Sequence, residues 1–186
     1  MKITDKLAEE SKQPLTPRRR FLAKALPVFV YLFFFPSILF IFPKFFMDRW
    51  LQMPTFLNPV ARAVIGGFVI IPGVFFLFSS IKAQRTIGLG TPMPLMATQK
   101  LVVQKPYSYC RNPLFFGLII LFGGISILID SFSSMVMVLV FSSLILLYVK
   151  LIEEKELEKR FGEEYFAYKK TTPFLIPSLF SKRSKK

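Results

Sequence analysis

The chain has 186 residues, 53% of them hydrophobic and 16% aromatic, with 23 phenylalanines; a water-soluble domain of this size has too little interior to hide that much apolar side chain. Lysine and arginine number 25 against 11 acidic residues, and they gather in the breaks between apolar runs, a pattern set by orientation in a bilayer rather than by a nucleic-acid groove. With no histidine and one cysteine, Cys110, an internal disulfide is excluded, and a zinc or iron site would need carboxylates alone, so no metal is expected.

Residues 1–20 are polar and basic, unlike a cleavable leader, and read as a cytosolic tail. Residues 21–43 carry a single charge, Lys24, and are long enough to cross a hydrocarbon core that needs roughly 20 helical residues. Pro27 and Pro36 bend this first span. The stretch from Lys44 to Pro59, with Asp48, Arg49 and Trp50, reads as an interfacial loop with an aromatic anchor. Residues 60–81 form the second span, in which Gly66, Gly67 and Gly73 permit close helix contact. From Lys82 to Asn112 the chain turns polar, and Gly88, Gly90, Pro92, Pro94 and Pro106 forbid one regular helix.

Two further apolar runs, 113–129 and 133–152, are separated only by Asp130, Ser131 and Phe132, which predicts an antiparallel helical hairpin. Beyond it, Leu157, Phe161, Tyr165 and Tyr168 recur at helical spacing over 153–170, the mark of an amphipathic helix that Gly162 weakens and Pro173 ends. The expected fold is therefore all-α and integral to the membrane, with about four transmembrane helices, a C-terminal hairpin and a cytosolic amphipathic helix. All but three of the 25 cations fall on one side of that topology, which makes both termini and the second loop cytosolic. The chain divides into a basic tail (1–20), two transmembrane helices (21–81), a core of loop, hairpin and helix (82–177) and a second basic tail (178–186).

Three features converge on the cytosolic face. Asn112 suits an N-cap and Pro113 the first helical position, so the third helix starts there, with its free N–H groups and positive dipole end beside Arg111. That is a site for an anionic group such as a carboxylate; a capped helix with a snorkelling arginine explains the same residues. Glu153 and Glu154 stand where the fourth helix leaves the apolar layer, and either open a solvated helix or bind a cationic ligand or a ribose diol. The hairpin brings Arg111 and Glu153 to one membrane level. The stretch from Gly88 to Pro94 is a loop that could admit a ligand to its backbone, although it follows no strand as a dinucleotide-binding loop would.

The order of these pieces resembles the isoprenylcysteine carboxyl methyltransferase and phospholipid methyltransferase superfamily of small membrane enzymes. The matching strings are Gly-Thr-Pro-Met-Pro at 90–94, Leu101-Val102-Val103, Pro106-Tyr107, Arg111-Asn112-Pro113-Leu114-Phe115-Phe116-Gly117, Glu153-Glu154-Lys155-Glu156-Leu157 and Phe161-Gly162-Glu163-Glu164-Tyr165, spread over 88–177. The resemblance implies an S-adenosylmethionine-dependent methyltransferase acting on a lipid-like acceptor reached from the membrane. It places cofactor contacts on Gln99, Lys100, Leu101 and Val102, on Tyr107, on Asn112, Pro113, Leu114 and Phe115, and on Glu153, with Glu154 beside them. Arg111 and Glu153 are the candidate catalytic residues, Arg111 for a carboxylate and Glu153 for the cofactor's cationic or diol portion. Lys105 stands where relatives often have Gly, and Phe115 where Tyr is common. Val149 and Lys150 fall near the position at which the prenylcysteine enzymes carry an arginine, which argues against prenylcysteine as the acceptor. The competing expectations are an NADPH-dependent membrane reductase of the sterol type and a non-catalytic membrane scaffold.

Overall fold

A computed structural model describes residue 25 and residues 29–89 and 98–178. The expected N-terminal tail, the start of the first span, the Gly90 to Pro94 part of the loop and most of the C-terminal tail lie outside these residues. Among the described residues all regular structure is helical. By internal contacts the chain falls into two units, one comprising Phe76–Phe116 and the chain from Leu146 onward, the other Gly117–Ile145 with the described residues up to Phe75.

In the latter unit the first helical run, α1 (30–50), strings together the wide turns Val30–Phe34, Ser37–Ile41 and Pro43–Met47 before Asp48–Trp50. Pro36 and Pro43 lack the N–H that a regular α-turn would use, which favours such looser winding. The helix does not stop at 43: Lys44 to Trp50 are helical, where a loop was expected. Their polar groups have partners that the sequence does not display. The buried Asp48 carboxylate accepts from Ser133 N–H at 3.0 Å, and Lys44 Nζ donates to the Asp130 carbonyl at 2.8 Å. The run ends in a turn at Gln52, whose φ is 51°, with Met53 N–H returning to the Asp48 carbonyl at 2.9 Å.

Helix α2 (Pro59–Thr86) begins with Asn58 as its cap, Oδ1 accepting from Ala61 N–H at 2.8 Å, and with Pro59 at the first helical position. Helix α3 (Pro113–Leu128) closes at Asp130, which takes a positive φ of 51°, and α4 (Phe132–Tyr148) opens two residues later. Helix α4 continues through Val149–Glu153 into α5 (Glu154–Phe161), forming a helix of 30 residues. It and α2 are the two described helices long and apolar enough to cross a membrane. Their outward residues agree, since Phe68, Phe75, Phe78, Leu139 and Leu144 are all more than half exposed. The predicted amphipathic helix is in fact two helices. At Gly162 the backbone turns to φ 52°, ψ −127°, a conformation open to glycine and costly for other residues, and α6 (Glu163–Thr171) sets off afresh.

Close packing of α2 on α3 depends on absent side chains. A Cβ added to Gly73 would meet Leu121 N at 2.6 Å and Leu121 Cα at 2.8 Å, both of them backbone that cannot swing away. One added to Gly67 would meet nothing within 4 Å. Gly73→Ala is therefore expected to destabilise the detergent-solubilised protein by about 1–3 kcal/mol, by overpacking. Gly67→Ala should leave it unchanged or slightly more stable, by up to about 1 kcal/mol. Thermal unfolding of the two variants side by side checks this, and equal melting temperatures would show that the helices can separate to accept the methyl.

Candidate functional site

The site belongs wholly to the unit that holds the loop 98–112, the first turn of α3, and helices α5 and α6. Its frame is the guanidinium of Arg111. Nε and Nη2 both donate to Glu154 Oε1, at 2.9 and 2.8 Å, while Nη1 donates to the carbonyls of Lys169 and Thr172 at 2.9 and 3.0 Å. Glu154 is held on its other oxygen too, by Lys169 Nζ at 3.1 Å, and Lys169 also reaches Glu158 at 2.8 Å. The pair is nearly dry, with side-chain exposures of 10% and 5%, so each charge depends on the other for compensation.

Residues 172–178 lie along the loop like a strap. Arg111 N–H donates to the Pro173 carbonyl at 2.8 Å, Ser178 N–H to the Tyr109 carbonyl at 2.9 Å, and the Asn112 side-chain amide to the Phe174 carbonyl at 2.9 Å. Asn112 does stand at the helix start, its carbonyl accepting from Phe116 N–H at 3.0 Å. Its side chain, however, is committed to the strap. On the far side of the loop, Tyr168 Oη donates to the Tyr107 carbonyl at 2.7 Å, and Ala83, Val102 and Tyr107 form a small buried core with Ile87 packed on it.

These elements line a pocket that is partly open to solvent. Of the residues singled out from sequence, Leu101, Val102, Tyr107, Arg111, Asn112, Leu114, Phe115, Glu153 and Glu154 line it. Gln99 and Lys100 do not: both are exposed, and their N–H groups point to the Gly88 carbonyl at 2.7 and 3.4 Å. Pro113 is buried outside the lining. The pocket also takes in residues that the sequence did not single out as a site, namely Gln84, Thr98, Val149, Leu157, Tyr165 and Tyr168. For Leu157, Tyr165 and Tyr168 the signal was present, since they form the apolar stripe of the amphipathic pattern. Gln84 carried none.

The two adjacent glutamates have opposite circumstances. Glu154 is saturated by Arg111 and Lys169, whereas Glu153 has no hydrogen bond or ion pair among the described residues and faces the pocket. Among the described residues Arg111 is the only cation lining that pocket, and each of its three guanidinium nitrogens is engaged. The space thus offers one carboxyl without a partner among the described residues and further hydrogen-bond acceptors. Its phenols stay protonated at neutral pH: burial raises the Tyr107, Tyr165 and Tyr168 pKa values above the ordinary phenol range, with Glu153 adding to the effect at Tyr107 and Glu154 at Tyr165. Burial also pushes the Cys110 thiol up to about 11. None of these groups is a base or nucleophile at pH 7. Among the described residues no cluster of three or more carboxylates and thiols could hold a metal ion.

Removing either partner of the Arg111–Glu154 pair leaves a buried charge uncompensated, so Glu154→Gln and Arg111→Met should each lose about 3–5 kcal/mol of stability. Arg111→Lys should recover little, because one ammonium cannot span Glu154 and two carbonyls. Thermal unfolding in detergent measures both. The raised pKa of Cys110 predicts slow alkylation by iodoacetamide that accelerates only as the pH approaches about 11, since the thiolate is the reactive form. Rapid modification at pH 8 would contradict its burial.

Residues 61–164 match the family model for phospholipid methyltransferase, more than half of the chain. No match was found among curated proteins or among solved structures. The matched stretch runs from the first turn of α2 to the start of α6 and includes every pocket residue except Tyr165 and Tyr168. Together with the two long apolar helices, it makes this a membrane protein. The chain belongs to the phospholipid methyltransferase family, within the superfamily that also holds the isoprenylcysteine carboxyl methyltransferases.

Proposed function

We propose that this chain is an S-adenosylmethionine-dependent methyltransferase whose pocket binds the cofactor at the cytosolic face and receives a lipid-like acceptor from the membrane. The observation that carries the reading is Glu153, a carboxyl that lines the pocket with no hydrogen bond or ion pair among the described residues, beside a Glu154 neutralised by Arg111 and Lys169. The residues fit a molecule that is cationic at one end and flat and apolar at the other. Glu153 would take the cationic or diol portion, and Leu101, Val102, Leu114 and Leu157 supply apolar walls. The free N–H groups in the first turn of α3, at Leu114 and Phe115, suit a carboxylate. When bound, S-adenosylmethionine supplies an activated methyl group, so the protein has mainly to position and exclude water.

Arg111, expected to hold a substrate carboxylate, has Nε, Nη1 and Nη2 turned to Glu154 and to the strap, and we assign it a positioning role. A carboxylate or thiolate acceptor needs no proton removed; an amine acceptor would have to give its proton to Glu153 or to water, since the pocket phenols remain protonated. The Arg111–Glu154 pair, which joins the start of α3 to the helix that continues α4, and the tight turn at Asp130 support the C-terminal hairpin, and the distribution of lysine and arginine along the sequence supports four spans with both termini cytosolic. The core of 82–177 then contains every lining residue.

Purified protein incubated with labelled S-adenosylmethionine and a total lipid extract should yield a methylated lipid by mass spectrometry. S-adenosylhomocysteine should raise the melting temperature and NADPH should not; protection by NADPH alone would favour a reductase, and protection by neither a scaffold. Glu153→Gln should weaken S-adenosylhomocysteine roughly tenfold, the loss of one charge-assisted contact. Unchanged affinity by calorimetry would remove Glu153 from the site.

A further inference from the structure

Two more polar atoms in the pocket lack partners among the described residues. Tyr107 is 8% exposed, yet its hydroxyl makes no hydrogen bond, and neither does Gln84 Oε1, which is equally shut off from solvent. Both residues line the pocket, one from the loop and the other from the end of α2. They are near one another without closing a bond of normal geometry. A folded protein rarely leaves buried polar atoms orphaned, and where it does a bound group commonly completes them. Packing with Ala83 and Val102 holds the Tyr107 ring in place.

We propose that Gln84 Oε1 and Tyr107 Oη form a subsite for an N–H-bearing group of a bound molecule, with the Glu153 carboxyl beside them favouring a cationic or strongly donating nitrogen. Gln84 Oε1 can only accept, and the phenol oxygen can accept as well as donate. Arg111, the one described lining cation, is spent on Glu154 and the strap, so nothing at this corner would welcome an anion. A nitrogen donor is available from two sources, an amine of the cofactor and an amine of the acceptor. The proposal rests on the methyltransferase reading of the pocket.

The full-length protein in detergent would be compared with Gln84→Leu and Tyr107→Phe by three readouts: melting temperature, calorimetric affinity for S-adenosylhomocysteine, and KM for phosphatidylethanolamine in mixed micelles with labelled S-adenosylmethionine. Each variant removes a partnerless polar atom, so its melting temperature should hold or rise. Affinity or KM should nevertheless worsen roughly tenfold, as for one lost hydrogen bond to a buried group. A loss of S-adenosylhomocysteine affinity assigns the nitrogen to the cofactor, and a raised KM alone assigns it to the acceptor. Unchanged affinity with unchanged KM, or with no turnover of this lipid by the wild type, overturns the subsite alone. So does a loss of binding that tracks a fallen melting temperature in both variants. A wild-type protein that does not bind S-adenosylhomocysteine overturns the methyltransferase reading, and the subsite with it.

Discussion

The bridge between Arg111 and Glu154 is the constraint on which the site depends. One guanidinium holds a carboxylate of α5, the last carbonyl-bearing turn of α6 and the chain that follows it. Lysine could not replace it, because a planar fork with five donors is needed to meet acceptors in several directions at once. The hydrogen bonds of Asn112 and of the 109–111 backbone then register the loop against the strap. Tyr107, a few residues earlier in that loop, is carried with it into the wall of the pocket.

The bridge also divides labour between neighbours. By saturating Glu154 it leaves Glu153 as the carboxyl of the pair that lines the pocket without a partner among the described residues. A buried ion pair adds little net stability compared with apolar packing; here its use is to set which of two carboxylates remains available.

Much of this was legible in the chain itself. The apolar runs, the start of α3 at Pro113 and the apolar stripe of Leu157, Tyr165 and Tyr168 are periodic or capping signals, and periodic signals survive folding. What was not legible is rotational. Adjacent residues on a helix point about 100° apart, so the choice between Glu153 and Glu154 as the partner of Arg111 depends on how that helix is turned, which no local pattern encodes. Gln99 and Lys100 sit next to lining residues and yet face outward for the same kind of reason, their N–H groups being taken by Gly88. The helical state of Lys44 to Trp50 depends on partners more than 80 residues away in sequence. In the sequence Gly162 only weakens one helical pattern, whereas its positive φ divides two helices.

The strap has a consequence for how the protein is made. Chains fold from the N-terminal end as they leave the ribosome, and the loop carrying Tyr107 and Arg111 emerges some 60 residues before the carbonyls that Arg111 uses. Until residue 172 is synthesised the guanidinium lacks the carbonyls it holds, and until residue 178 the strap is not closed on the loop. The two long apolar helices, α2 and the run from α4 into α5, are therefore complete before the site is assembled, and a nascent chain can be embedded in the bilayer while its pocket is still unformed.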